Sequence, residues 1–131
     1  MPEAKVIAVK DHAKESEAFR SVLFTGEKSQ LVIMSLRPGE DIGEEVHDDV
    51  DQLLYLVKGT GVAVIEGKEV AFEKGSIFCV PKGTRHNVKN LGDEPMKLFT
   101  VYAPPQHAPN TVHQTKADAQ KEEPKVEVAA Y

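Results

Sequence analysis

The residues best suited to chemistry lie in two short stretches in the middle of the chain. The first, GEEVHDDVDQ, spans residues 43–52 and combines a run of acidic side chains with one histidine and one glutamine. The second, GSIFCVPKGTRHNVKN, spans residues 75–90 and places one histidine just after a PKGT turn. Imidazole, carboxylate and amide oxygen are all ligands of divalent metal ions. The two stretches therefore indicate metal binding, with a carboxylate available to move a proton.

Four of these side chains can be brought to one point. Glu45 and His47 are two residues apart, so in a strand they project from the same face. The acidic turn at residues 48–51 then reverses the chain, and Gln52 re-enters on a partner strand close to His47. His86 begins the returning strand of a second hairpin. If the two hairpins face each other inside a barrel, we expect Glu45, His47, Gln52 and His86 to meet at its centre.

This ligand set carries one negative charge, on Glu45. An amide oxygen is a weaker donor than a carboxylate, and the set is rich in oxygen, so it favours Zn, Mn or Fe with open positions for water. Glu45 has two possible roles. It is either a fourth ligand or a catalytic general base beside an ion held by His47, Gln52 and His86, since burial near an ion would tune its pKa.

The rest of the chain reads as the β-structure that positions these residues. Short apolar runs such as QLVIMSL, QLLYLV and KLFTVYA alternate with glycine- and proline-containing turns, and a GK turn joins the runs VAVIE and EVAF. Residues 21–103 lack the 3.6-residue periodicity of a helix over any stretch of ten residues or more. This pattern predicts an all-β domain, either an antiparallel sandwich or a small barrel. We predict an N-terminal segment at residues 1–17, the β-barrel at 18–103 and an irregular C-terminal extension at 104–131.

The two ends of the chain are expected to differ from the barrel. DHAKESEAF predicts a short N-terminal helical turn with Asp11 as its cap. APPQHAPNTVHQT is rich in proline and polar residues, which indicates an irregular path over the surface. The charged end, KADAQKEEPKVEVAAY, predicts a frayed helix or a disordered tail. His12, His107 and His113 are interpreted as surface or loop residues. His107 and His113 rank above His12 because their segment can fold back over the barrel mouth.

The second stretch is similar to the second motif of the cupin superfamily, G-x5-P-x-G-x2-H-x3-N. Gly75, Pro81, Gly83, His86 and Asn90 occupy all of its fixed positions. The first stretch resembles the first cupin motif, G-x5-H-x-H-x(3,4)-E-x6-G, which in this chain runs from Gly39 to Gly59. Its spacing is kept, but two ligand identities differ: Glu45 stands where the motif has its first histidine, and Gln52 stands where it has glutamate.

This resemblance implies a double-stranded β-helix, or jelly-roll barrel, of the small single-domain type described as mannose-6-phosphate-isomerase-like. It further implies a homodimer, for which the apolar strand QLVIMSL offers a pairing surface, and a small-molecule substrate or ligand, such as a sugar or keto acid. Chemistry of the isomerase, lyase or tautomerase type fits an oxygen-rich site best. Two alternatives remain open: a cupin dioxygenase, and a non-catalytic cupin that binds a small ligand.

Composition limits the other classes of function. The chain has 131 residues, a net charge of −5 and lysines scattered among glutamates. These features argue against a nucleic-acid partner or an anionic membrane surface. The N-terminus lacks the apolar run of a signal peptide or a membrane span, so we expect a cytoplasmic protein. The single cysteine, Cys79, excludes an internal disulfide and is interpreted as a small buried hydrophobe within IFCVP.

Overall fold

The structure, a computed structural model, describes residues 2–121. One helix, α1 (Val9–Glu15), precedes nine strands. The strands are β1 (Arg20–Thr25), β2 (Gln30–Leu36), β3 (Asp51–Lys58), β4 (Thr60–Ile65), β5 (Lys68–Glu73), β6 (Ile77–Val80), β7 (His86–Lys89), β8 (Met96–Ala103) and β9 (Val112–His113). Residues 116–121 are also helical. The predicted all-β class is confirmed.

The strands form two antiparallel sheets. The larger sheet has the order β6-β3-β8-β2-β1-β9, and the smaller has the order β5-β4-β7. Residues 39–47 continue the smaller sheet beside β7, through isolated bridges at Asp41–Lys89 and Glu45–His86. Alternate residues of each strand face the space between the sheets, and this space holds the core. The jelly-roll architecture predicted from the resemblance is the one observed.

The interior changes from apolar to polar toward one end of the barrel. Along β3, Leu56 and Leu54 face the core and Gln52 follows them at the strand's start. Along β8, Leu98 is followed by Thr100 and Tyr102 on the same inward face. The apolar core residues are buried, which stabilises the barrel by roughly 1.5–3 kcal/mol for each large side chain. The polar end is where the candidate site lies.

The chain crosses between sheets where hairpins were predicted. Gln52 lies on β3 of the larger sheet, whereas Glu45 and His86 lie in the smaller one. The expectation that Gln52 pairs with the strand carrying Glu45 and His47 is therefore wrong. The acidic turn carries the chain from one sheet to the other, and the turn at residues 81–84 does the same between β6 and β7. The site consequently lies between the sheets.

The outer face of the larger sheet is partly covered by α1. Ala13 packs against Ile33 and Val57, and Tyr55 and Phe99 stack at 5.0 Å beside them. The helix begins at Val9 after Ala8, so Asp11 lies in the first turn and is not the predicted cap. Strand β2, proposed from sequence as a dimer surface, lies between β1 and β8 with most of its residues buried within the monomer.

Cys79 is exposed, so its interpretation as a buried hydrophobe is wrong. The reason is the two-residue period of a strand. In β6, Phe78 and Val80 face the core, and Cys79 between them points outward beside Leu53 of β3. Asp48 and Asp49 are exposed as predicted for a solvated turn.

The C-terminal extension is largely irregular between residues 104 and 115 but is tied to the barrel. Within it, β9 pairs with β1 through the pairs Arg20–His113 and Ser21–Val112. The helical residues 116–121 bury Ala119 in the main core. Lys116 forms an ion pair with Asp41, which lies in the segment that continues the smaller sheet. The predicted frayed or disordered tail lies, from residue 122 onward, outside the described residues. The proposed division at residues 17 and 103 stays a prediction.

Candidate metal centre

Glu45, His47 and His86 converge at the polar end of the barrel. One ligand atom from each lies within 4.8 Å of those of the other two. The Glu45 Oε1 and His47 Nε2 atoms are 3.6 Å apart, and the two imidazole centroids are 5.5 Å apart. All three side chains are largely shielded from solvent. The structure thus brings together three of the four residues proposed from sequence as ligands.

Gln52 completes the group from the opposite sheet. Its Oε1 atom lies 3.0 Å from His86 Nε2, and its Nε2 donates to Thr100 Oγ1 at 3.0 Å. All four proposed ligands therefore meet, although Gln52 arrives from another sheet than expected.

Backbone pairing explains why Glu45 and His86 share a face. The amide of each residue donates to the carbonyl of the other at 2.9 Å. Directly paired residues of antiparallel strands project from the same side of a sheet. The Gly83 amide donates to the carbonyl of His47 at 2.7 Å, and this bond holds the end of the segment 39–47 against the turn before β7. At Gly83, φ is +80°, a conformation that favours glycine.

Polar side chains brace this ligand-bearing segment. Asn87 Oδ1 accepts from the Gly43 amide at 2.9 Å, and its Nδ2 donates to Asp41 Oδ2 at 2.8 Å. Lys116 and the Asn87 amide hold the pKa of Asp41 below its ordinary value, although burial acts in the opposite direction. The Lys82 amide donates to Asp51 Oδ1 and so joins the two turns that cross between the sheets.

The protonation states suit a metal centre. Burial lowers the pKa of His86, and the Thr84 carbonyl beside Nδ1 only partly offsets this effect. Burial alone would raise the pKa of Glu45, but His47 and Arg20 nearby bring it below its usual value. At neutral pH the site therefore offers a carboxylate and a neutral His86 imidazole, the forms that bind a metal ion.

Two features test whether a cation fits these residues. Both ring nitrogens of His47 and the Oε1 atom of Glu45 are buried without a hydrogen-bond partner, which is costly unless something binds them. His86 lies with Nδ1 2.9 Å from the Thr84 carbonyl and Nε2 3.0 Å from Gln52 Oε1. A neutral imidazole carries one proton, so one of these two contacts joins two acceptors. A cation coordinated by His86 Nε2 and Gln52 Oε1 removes the conflict, and the donor set fits a divalent ion.

Three further residues lie near the site, and two of them, His107 and His113, had been ranked from the sequence above His12 as candidates to reach it. Tyr102 lies edge-on to His47 with centroids 6.0 Å apart, and His107 lies 5.2 Å from Tyr102 on its other side. His113 is buried with Nδ1 3.3 Å from an Arg20 nitrogen. The interpretation of His113 as a surface residue is wrong, whereas His12 is exposed as predicted. The segment after β8 folds back toward the polar end of the barrel, as predicted. The sequence feature that indicated this was a polar, histidine-containing stretch after the last long strand.

Comparisons with known proteins identify the family. Residues 32–102, more than half of the chain, match the cupin domain. The protein YrkC of Bacillus subtilis is 43% identical over 125 residues, which is 90% of this chain and 67% of YrkC. The crystal structure of BH2720 from Bacillus halodurans superposes with a TM-score of 0.90 at 39% identity, covering 92% of this chain and 96% of that one. The chain belongs to the cupin superfamily, as its two motifs predicted.

More distant relatives match a smaller share of the chain at lower identity. The oxalate-binding protein of Thermotoga maritima is 28% identical over 68 residues, covering 52% of this chain and 56% of its own length. KdgF from Halomonas shares the fold with a TM-score of 0.62 at 21% identity, covering 66% of this chain and 78% of KdgF. The mannose-6-phosphate-isomerase-like subgroup stays a prediction. Within residues 2–121, no helix has the length and apolar character needed to cross a membrane.

Proposed function

We propose that this cupin binds one divalent metal ion through Glu45, His47, Gln52 and His86 and acts on a small polar metabolite. The convergence of the ligand atoms of Glu45, His47 and His86 within 4.8 Å is the observation that carries this proposal. The buried, unsatisfied nitrogens of His47 support it. Zn, Mn and Fe suit a set of two imidazoles and two oxygens.

The reaction class we propose is proton transfer next to a carbonyl, as in an isomerase, lyase or tautomerase. When bound, the ion polarises a substrate carbonyl oxygen as a Lewis acid. Glu45 has one oxygen, Oε1, that is buried without a hydrogen bond, and its pKa lies below the usual range, so it is ionised and able to accept a proton from the substrate. The barrel walls exclude bulk water from this step.

The main test is exchange of substrate hydrogen with solvent. Purified protein supplied with Mn or Zn is incubated in D2O with small keto acids and sugars, and deuterium incorporation is followed by NMR. We expect exchange in the wild type and loss of at least about 100-fold in the Glu45→Gln variant, the lower range of general-base contributions. Glu44→Gln is the matched control, since Glu44 is exposed and points away from the site. Exchange that persists in Glu45→Gln protein with normal metal content would contradict the assignment of Glu45.

A non-catalytic, ligand-binding cupin is the second candidate. The similarity to the oxalate-binding protein of Thermotoga maritima favours it. In this case the protein binds small metabolites with a defined stoichiometry, but no tested substrate exchanges hydrogen or changes chemically. Calorimetry alongside the exchange assay therefore separates the two candidates.

The remaining aspects of the proposal concern location and assembly. We propose a cytoplasmic homodimer that has no nucleic-acid or membrane partner. The net charge of −5 supports the absence of these two partners. Exposed Leu53 and Ile77 on the outer face near the edge strand β6 offer an apolar dimer surface in place of β2. Sedimentation equilibrium with Ile77→Lys tests this point, because a monomeric wild type would contradict it.

A further inference from the structure

Residues 112–121, which we call the C-terminal strap, connect the two sheets of the barrel. At one end, β9 pairs with β1 of the larger sheet, and the Phe19 amide donates to the Gln114 carbonyl at 3.2 Å. At the other end, Lys116 forms an ion pair with Asp41, which lies in the segment that continues the smaller sheet. The strap is therefore attached to both sheets.

The helical part of the strap has a defined start and a buried anchor. The Thr115 amide donates to Asp118 Oδ2 at 3.3 Å, and the Asp118 amide donates to Thr115 Oγ1 at 3.1 Å. This reciprocal arrangement caps the first turn. Ala119, one turn further along, is 1% exposed and belongs to the main core. The cap and the anchor together fix the place of Lys116 between them.

The segment 39–47, which carries two of the proposed metal ligands, follows an irregular path. Its two bridges to β7 lie four residues apart on the segment, at Asp41 and Glu45, but three residues apart on β7. One extra residue is therefore accommodated between the bridges, as in a β-bulge. Gly43 lies there with φ +108°, and its amide donates to the side chain of Asn87 at 2.9 Å. A side chain thus sets the course of the backbone two residues before Glu45.

A chain of polar contacts leads from the strap to this bulge. The Lys116 ammonium donates to Asp41 Oδ1, and Asp41 Oδ2 accepts from Asn87 Nδ2 at 2.8 Å. Asn87 Oδ1 in turn accepts from the amide of Gly43. The Lys116 and Asp41 side chains are 24% and 33% exposed, so water screens their attraction only in part. Both carboxylate oxygens are engaged, and Asp41 therefore orients the amide that holds the bulge.

We propose that Lys116 is a positioning residue that couples the C-terminal strap to the metal centre through Asp41, Asn87 and the bulge at Gly43. The ion pair holds the segment 39–47 against β7 and keeps Glu45 in register with its partner there. Without the ion pair this segment opens more often and takes up arrangements in which Glu45 is displaced. The effect on metal affinity rests on the proposed function, whereas the effect on the segment does not.

Amide hydrogen exchange of the metal-free, full-length protein tests the effect on the segment. Exchange at Gly43 and Glu45, whose amides both donate to residues of β7, is followed by NMR in wild type, Lys116→Gln and Lys121→Gln. Lys121 is exposed on the same helix, so its variant is the control for the change in charge. We expect exchange at both amides to be about two- to fivefold faster in Lys116→Gln, the upper range for a partly exposed ion pair. The control should keep the wild-type rates.

Small additions of urea distinguish positioning from a general loss of stability. Local opening exposes little surface and therefore responds weakly to urea, whereas global unfolding responds strongly. Faster exchange at Gly43 and Glu45 with a weak response to urea supports the proposal. Faster exchange that occurs only through the urea-sensitive route would show that Lys116 stabilises the fold without positioning the segment, and would overturn it. Wild-type rates at both amides in Lys116→Gln would also overturn it.

Two further variants test the path. Asp41→Asn keeps an oxygen that accepts from Asn87 but loses the charge that attracts Lys116. If the coupling runs through this pair, we expect Asp41→Asn to match Lys116→Gln and the double variant to have no greater effect than either. Lys116→Arg keeps the charge and should restore the wild-type rates. Additive effects of the two single variants, or fast exchange in Lys116→Arg, would contradict the path through the ion pair.

The affinity for Zn, measured by calorimetry, tests the coupling to the metal centre. Because this affinity is measured on folded protein, a loss of global stability alone does not change it. We expect Zn to bind about two- to fivefold more weakly to Lys116→Gln than to the wild type or Lys121→Gln. Unchanged affinity in Lys116→Gln would overturn the coupling. Failure of the wild type to bind Zn contradicts the proposed function, while the exchange rates of the metal-free protein still decide the role of Lys116.

Discussion

Glu45 and His86 are backbone partners as well as neighbours at the candidate metal centre. Two hydrogen bonds of 2.9 Å join them across the gap between residues 39–47 and β7. Among the residues that the structure describes, no other bridge places a carboxylate and an imidazole from distant parts of the chain on one face of a sheet. The side-chain geometry of the site therefore depends on the backbone pairing of an irregular segment.

Gln52 offers a direct test of the oxygen ligand. In Gln52→Glu the side chain keeps its shape and gains a negative charge, and Thr100 has a hydroxyl that can donate to it. Because a carboxylate is a better donor than an amide, we expect Mn or Zn to bind about tenfold more tightly. Calorimetric titration of metal-free protein measures this change. The exposed Gln114→Glu is the control for added charge. Weaker binding in Gln52→Glu would exclude Gln52 Oε1 as a ligand.

The lowered pKa of His107 predicts that the folded protein loses stability in acid. Its pKa falls from 6.5 to about 3 in the folded protein, chiefly because it is buried and secondly because Arg20 is near. Between these values the unfolded chain binds a proton that the folded chain does not. The free energy of unfolding therefore decreases as the pH falls from about 6.5 toward 3, by up to about 1.4 kcal/mol per pH unit. Above pH 6.5 this group contributes no pH dependence.

The measurement is urea unfolding of wild type and His107→Phe between pH 7.5 and pH 4.5. We expect the slope of stability against pH to be smaller in the variant than in the wild type, since the phenylalanine cannot titrate. His12→Phe, at an exposed helix position, should keep the wild-type slope. Identical slopes in wild type and His107→Phe would show that His107 titrates freely in the folded protein.

The sequence predicted the parts of the fold that depend on local patterns. VAVIE and EVAF become β4 and β5, joined by Glu66 and Gly67, both with positive φ as in a tight hairpin turn. The two motifs located the ligands because each holds its histidine next to a turn. The assignment of strands to sheets could not be predicted in this way, since Gln52 and His47 are near in sequence yet lie on different sheets.

The parts of the site that were missed depend on contacts between distant residues. Arg20 and His113 are 93 positions apart and meet only because β9 pairs with β1. No periodicity marks a two-residue strand within a polar segment. Gln30 anchors residues 106 and 107 through a buried amide, a contact that leaves no pattern in either stretch of sequence. Cys79 was wrongly predicted to be buried because its sequence neighbours are apolar. The alternation of side chains along β6 instead places it on the outer face.

Substitution of Gly59 by alanine is predicted to destabilise the protein more than the same substitution at Gly67, although the two glycines have similar φ angles. Its φ is +96°, and a β-carbon there would lie 2.8 Å from the carbonyl oxygen of Pro95. At Gly67, φ is +81° and nothing lies within 4 Å of such an atom. We expect Gly67→Ala to cost about 1 kcal/mol from the backbone conformation alone. Gly59→Ala should cost at least about 1–3 kcal/mol more, because the close contact adds strain. Chemical denaturation measures both, and equal losses would show that the β4 entrance relaxes freely.

Metal analysis of the purified protein tests the central claim most directly. The protein is prepared without added ions, and its Zn, Mn and Fe contents are measured by mass spectrometry beside a His47→Ala, His86→Ala double variant and the single variant His12→Ala. We predict close to one ion per chain in the wild type and in His12→Ala. In the double variant we predict loss of the ion and an affinity at least about 100-fold lower, beyond the effect of losing an outer partner. A folded double variant that retains the full metal content would contradict the assignment of the site.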